Sequence, residues 1–152
     1  MWANEVSVDV DATAADVYTY LADFPRHREW SSARMSELRQ LAPGPVGVGS
    51  EFEAAETVPA KVVTYSRITA LEPNRRIAWH SWFGKMMAAD WEFALSEQGA
   101  VTHLVQRSRW QPGNPGMELF HRFVRRRRIP VENLHSLERI KSALEERMRS
   151  RP

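Results

Sequence analysis

Proton transfer within a protein needs an ionisable side chain within hydrogen-bond reach of the reacting atom. In this chain Tyr65, Arg67, His80 and His103 stand beside the densest aromatic stretches and are the candidates for that role. They interleave with residues that alternate in step: Ile77, Trp79, Ser81 and Phe83; then Ala89, Trp91, Phe93 and Leu95; then Thr102, Leu104, Gln106, Ser108 and Trp110. The positions between them, such as Arg76, His80, Glu92, His103, Arg107 and Arg109, are polar or charged. Each stretch therefore reads as a strand with one apolar and one wet face.

Parity then decides the chemistry. If Trp79, Trp91 and Trp110 share a face, that face also carries Thr64, Ser66, Ile68, Ser81, Phe83, Phe93, Leu104, Gln106 and Ser108. This is a lining of hydroxyls, one amide and no charge. Tyr65, Arg67, His80, His103, Arg107 and Arg109 point the other way. A one-residue slip or a bulge would reverse a strand and bring a histidine or arginine inside. Burial of several unpaired charges is costly, which favours the uncharged lining. Other chemistries lack their residues. There is no cysteine, no His-Glu-x-x-His pair and no Gly-x-Ser-x-Gly elbow, so no metal, no cofactor and no thiol or serine nucleophile is expected.

The elements that must hold these residues follow from pattern. Val6, Val8 and Val10 alternate within Glu5 to Val10, a first strand. Thr13 offers an N-cap with Asp16 in the first turn; Val17, Tyr20, Leu21 and Phe24 form the inner face of a helix that Pro25 ends. A short second helix runs through His27 to Trp30. Strands are expected at Met35 to Leu41, Ser50 to Glu56 and Val62 to Leu71, ahead of the three tryptophan-bearing ones. The run Pro43-Gly44-Pro45-Val46-Gly47-Val48-Gly49 leads into a strand, not a helix, so it is a turn and not a phosphate loop. After Gln111 to Gly116, helical spacing resumes at Met117, Phe120, Phe123 and Val124. Pro130 forces a kink or restart, and Val131, Leu134, Leu137, Ile140, Leu144 and Met148 make an apolar stripe.

At 152 residues the chain is expected to be a single domain over positions 1–152. The opening Met1-Trp2-Ala3-Asn4-Glu5 lacks the basic then apolar pattern of a signal peptide, and no apolar run approaches the ~20 residues of a membrane span. A cytoplasmic location is the expectation. Charge is uneven: Met117 to Pro152 holds ten basic and five acidic side chains, against eleven and fourteen before it. The run Arg125, Arg126, Arg127 and Arg128 could meet an acidic carrier protein or an acidic membrane surface. No nucleic-acid motif accompanies it, so nucleic acid is not an expected partner.

Several phrases carry a likeness. Asp11-Ala12-Thr13-Ala14-Ala15-Asp16-Val17-Tyr18, Leu21 to Trp30, Gly47-Val48-Gly49-Ser50-Glu51-Phe52, Ala70 to Ile77 and Asp90-Trp91-Glu92-Phe93 resemble the START-like, or SRPBCC, helix-grip superfamily. Within it the chain is most similar to the branch of polyketide cyclases, dehydrases and lipid transport proteins. The resemblance implies an α+β helix-grip (START-like) fold: a seven-stranded antiparallel curved sheet, two short helices after strand 1, and a long C-terminal helix over the concave face. It also implies a ligand cavity between sheet and helix.

Three readings stay open. The preferred one is binding, transport or sequestration of a hydrophobic small molecule, lipid-like or aromatic polyketide-like, without covalent chemistry. Its walls would be Trp79, Phe83, Trp91, Phe93, Leu104 and Trp110, its orienting groups Ser66, Ser81, Gln106 and Ser108, and its lid Leu134, Leu137 and Ile140. The second is a cofactor-independent aromatase/cyclase acting on a carrier-bound polyketide, with Arg67, His80, His103 or Tyr65 reaching the pocket. The third is an interaction module using the basic segment.

Overall fold

Alternation builds the sheet. The computed structural model describes residues 2–31, 34–57 and 61–151, with Arg34 described in its backbone only; the two ends of the expected domain, Met1 and Pro152, lie outside it. The strands are β1 (Asn4–Val10), β2 (Arg34–Gln40), β3 (Glu51–Thr57), β4 (Lys61–Glu72), β5 (Arg76–Phe83), β6 (Met87–Gln98) and β7 (Val101–Pro112). They form one antiparallel sheet in the order β1-β7-β6-β5-β4-β3-β2. The turns between β4 and β5, β5 and β6, and β6 and β7 use left-handed residues at Asn74, Gly84 and Gly99. Two irregularities matter. β4 carries one extra residue at Thr69, so that both Ile68 and Leu71 face the concave side, opposite Trp79 and Ile77. A shift between Met35 and Glu37 explains the weak alternation of β2.

The convex face is an ionic ladder. Glu92 accepts from Arg76 Nε at 2.6 Å and from Arg107 at 2.9 Å, and Arg107 also reaches Glu5 at 2.8 Å. Asp90 takes Arg109 at 2.6 Å and Gln111 at 2.9 Å. The charged residues that alternate with the tryptophans are thus satisfied outside, leaving the aromatics the inner face.

Helices close that face. In α1 (Ala14–Ala22) Thr13 Oγ1 accepts from the Asp16 amide, and Glu97 accepts from the Ala14 amide at 2.9 Å, which satisfies two of the orphan N–H groups. Pro25 lies in a 3-10 turn, Phe24–Arg26, that reorients the chain into α2 (His27–Trp30). Gly113 donates to the Met86 carbonyl at 2.8 Å, and any Cβ there would collide with the Lys85 carbonyl, so glycine alone permits β7 to turn into α3 (Pro115–Phe120). A π-helical turn, His121–Arg125, follows, and Pro130 starts α4 (Ile129–Arg149) as a new helix. With 21 residues α4 is about 31 Å long. It is pinned to β1 by Lys141 Nζ on the Asp9 carbonyl at 2.7 Å and to α2 by Arg139 on the Trp30 carbonyl at 2.8 Å. Among the described residues no helix is long and apolar enough to cross a membrane.

The stripe expected along α4 holds only in part. Leu137, Ile140 and Leu144 are buried, but Val131 and Leu134 are 54% and 37% exposed. Ile129, Asn133 and Ser136 face inward in their place. The core of Leu21, Phe24, Phe52, Ile68, Ile77, Phe93, Leu104, Leu137, Ile140 and Leu144 fills only one end of the grip, so the first turns of α4 present polar side chains toward the other.

Candidate functional site: a tryptophan-walled cavity

Register explains where the core stops. Side chains on the concave face line up in rows across the sheet. One row, Leu71–Ile77–Phe93–Gln106, is packed, and the next, Ile68–Trp79–Trp91–Ser108, brings two indoles side by side. The row after that reads Phe52–Ser66–Ser81–Ala89–Trp110. Three small side chains stand between two large ones, and all three line open space. The result is a cavity of about 500 Å³, ample for a multi-ring or acyl molecule.

Its walls come from every element around it. Trp79 and Trp91 stack with ring centroids 6.0 Å apart and 8° between planes, while Trp110 meets Trp91 edge-on at 5.4 Å. The Trp91 indole N–H donates to Ser81 Oγ at 3.0 Å, which fixes the ring as a wall. On the far side stand Phe24, His27 and Trp30, then Met35 and Leu38 of β2, Ala54 and Glu56 of β3, and Val62 and Thr64 of β4. Met117, Phe120 and Val124 roof it, with Arg128, Asn133 and Ser136 beside them.

Ionisable groups enter at four places, one of them Arg128. His27 is buried, stacked on Phe24 at 4.1 Å, and its Nε2–H donates to the Leu21 carbonyl at 3.1 Å. Burial lowers its pKa to about 4 against the opposing pull of that hydrogen bond, so it is neutral near pH 7. Arg125 and Glu132 form a two-pronged pair at 3.0 and 2.9 Å and neutralise each other, and the Arg125 guanidinium also lies 5.8 Å from the Trp110 ring centroid. Glu56 is different. Its carboxyl is pushed up from the usual carboxylate range by burial, while a Thr64 hydroxyl hydrogen bond works the other way. Gln106 Oε1, Trp30 Nε1 and Trp110 Nε1, all on lining residues, are buried without a partner among the described residues.

A match over residues 1–145 to the family described as polyketide cyclase / dehydrase and lipid transport settles what kind of chain builds this cavity. The chain belongs to that family. A curated relative, the uncharacterized protein Rv0088 of Mycobacterium tuberculosis, is 33% identical over 90 residues; the match spans 57% of this chain and 38% of that protein's length. Among solved structures, the Zhui aromatase/cyclase from Streptomyces sp. R1128 superposes with a TM-score of 0.74 at 19% identity, covering 96% of this chain and 94% of that one. The hypothetical protein jhp0584 of Helicobacter pylori superposes with a TM-score of 0.73 at 9% identity, over 92% and 86%. At such identities the likeness is one of fold, and the helix-grip architecture expected of this polyketide cyclase/dehydrase family is the one observed.

Of the expected ligand-facing residues, Ser66, Trp79, Ser81, Phe83, Trp91, Gln106 and Trp110 line the cavity. Phe93 and Leu104 are wholly buried behind it, with Phe93 held between Trp30 and Trp79 at 5.4 Å each. Ser108 is buried and accepts from Asn133 Nδ2 at 3.3 Å; Leu137 and Ile140 are core, and Leu134 faces solvent. The four proton-transfer candidates sit on the convex face. His80 Nδ1 is 2.7 Å from Asp90, His103 Nδ1 is 2.8 Å from Asp9, Arg67 reaches Glu51 at 3.5 Å, and Tyr65 stacks on Trp82 at 5.8 Å. The lining is not uncharged as expected, because Glu56 from the sheet and Arg125, Arg128 and Glu132 from the helical segment are in it. The signal was present: Phe52 and Ala54 mark the buried parity of β3, and Glu56 is the next residue in phase.

Proposed function

We propose that this chain acts over 1–152 as a single domain that binds a hydrophobic, ring-containing or acyl small molecule between the sheet and α4. The observation that carries this reading is the row Ser66–Ser81–Ala89 held between Phe52 and Trp110, beneath the Trp79–Trp91 stack. Leaving ~100 Å² of apolar wall uncovered forgoes on the order of 2–3 kcal/mol, which a bound apolar ligand restores. Family membership supports the same class of ligand. Native mass spectrometry after mild purification tests it: a co-purified small molecule is expected. Empty protein whose tryptophan fluorescence responds to no fatty acid, sterol or polyaromatic compound would remove the reading.

A second reading, cofactor-independent cyclisation or dehydration of a polyketide, gains from the presence of an ionisable carboxyl, Glu56, in the lining. It no longer leans on Arg67, His80, His103 or Tyr65.

The basic segment divides in two. Arg125 is engaged with Glu132, and Arg128 lines the cavity. Arg122, Arg126 and Arg127 are exposed beside Leu119 and Phe123, which are 60% and 73% exposed, and beside Val124. Exposed aromatic and aliphatic side chains ringed by arginine fit an anionic lipid surface better than an acidic carrier protein, which would need the arginines alone. We therefore favour acidic lipid over an acidic carrier protein as the partner of this face.

A further inference from the structure

We propose that Glu56 is the polar anchor of the cavity and selects ring ligands that carry a free hydroxyl, phenols above all. This rests on the ligand-binding reading and adds the class of group the ligand must bear.

The register places Glu56 directly between Met35 on β2 and Val62 on β4, and all three line the cavity. Its carboxyl thus stands between two apolar side chains, shielded from water on both flanks. Of the two lining carboxylates, Glu132 is taken by Arg125, whereas among the described residues the hydrogen-bonding group acting on Glu56 is the Thr64 hydroxyl. An ionised carboxyl offers about four acceptor positions, and a single hydroxyl occupies one. The remainder call for a donor, since a partly desolvated carboxyl without partners is costly.

The path to Glu56 says what kind of donor. Ser81 lies directly opposite Ser66, and Thr64 follows Ser66 two residues along the same strand face. From the Trp79–Trp91 stack a track of hydroxyls therefore runs along one wall to the carboxyl. Flat indole faces suit a planar ring; the hydroxyl track and its acidic end suit ring hydroxyls that both donate and accept. An amine would satisfy the carboxyl as well, but Arg128 is itself in the lining and adds positive charge to the cavity, which disfavours cations.

Isothermal titration calorimetry with 2-naphthol, 2-methoxynaphthalene and naphthylmethylammonium separates these possibilities. The methoxy compound keeps the ring and the oxygen and lacks the donor. The intact chain is expected to bind the naphthol about tenfold more tightly than the methoxy compound, the usual worth of a hydrogen bond to a charged acceptor. In Glu56→Leu that preference should fall to about twofold or less, with the methoxy affinity kept, and in Glu56→Gln it should be intermediate. Glu56 is only partly buried, so circular dichroism should find both variants folded. Equal affinities in the intact chain, an undiminished preference in the leucine variant, or the ammonium compound binding best would each overturn the assignment while leaving the cavity reading intact. Binding of none of the three would overturn both.

Discussion

Two neighbouring aromatics show how one residue type takes two roles. Phe93 is fully buried between Trp30 and Trp79, whereas Trp91, next in phase on the same strand, keeps one face toward the cavity and its indole N–H on Ser81. Phe93→Ala should therefore cost about 3–5 kcal/mol of unfolding free energy, through lost burial and a residual void. Trp91→Phe should cost only about 1 kcal/mol, the worth of its hydrogen bond, yet weaken a polyaromatic ligand several-fold. Urea unfolding paired with ligand titration of both variants checks this. Loss of binding in Phe93→Ala at full stability would contradict the placement. The same contrast governs what the sequence showed at this level. Alternation put Trp79, Trp91, Phe93 and Trp110 on one face, but it cannot say which are covered by α1, α2 and α4.

Helices and turns carry the pH response and the surface chemistry. His27, in α2, stays neutral in the folded chain down to about pH 4, while in the unfolded chain it takes a proton near 6.5. The unfolded state thus binds the extra proton between these values, and stability falls as pH drops from 6.5 to 4 and levels off below. The full swing is about 3 kcal/mol. His27→Phe, which keeps the stack on Phe24, should flatten stability against pH across that window, as measured by denaturant midpoints at a series of pH values. At the roof, Phe123→Ser combined with Arg126→Ser and Arg127→Ser should abolish sedimentation with phosphatidylserine-containing vesicles and leave thermal stability unchanged, because all three side chains are exposed. Binding to an acidic carrier protein that survives the Phe123 change but not the arginine changes would assign the face to protein instead. Most of the elements were legible from caps, prolines and period. The start of α4 was not, since Asn133 and Ser136 turn inward where Val131 and Leu134 had the better apolar spacing.

The molecule as a whole divides into a filled end and a hollow end. The filled end, from Ile77, Phe93 and Leu104 to Leu137, Ile140 and Leu144, supplies stability; the hollow end, from Ser66 and Ser81 to Trp110, sacrifices some. A ligand that binds only the folded chain should therefore stabilise it by about 2.7 kcal/mol at a free concentration one hundred times its Kd. That corresponds to a rise in Tm of roughly 5–10 °C at this chain length. Differential scanning fluorimetry across a ligand series reads it directly, and a ligand that titrates the tryptophans without raising Tm would be binding elsewhere. The convex ionic ladder, Arg76–Glu92–Arg107–Glu5, should respond to neither.

From the chain alone came the strand count, the antiparallel order, the Thr13 cap, the break at Pro25, the restart at Pro130 and the family resemblance, because period, caps and backbone-restricted residues act over a few positions. Tertiary structure decided that His80, His103, Tyr65 and Arg67 stay outside, that Glu56 stands inside, and that Ser66, Ser81 and Ala89 fall in one row along the cavity wall. Those are matters of register between strands and of how far a helix reaches across a sheet. Both depend on contacts between residues remote in the chain.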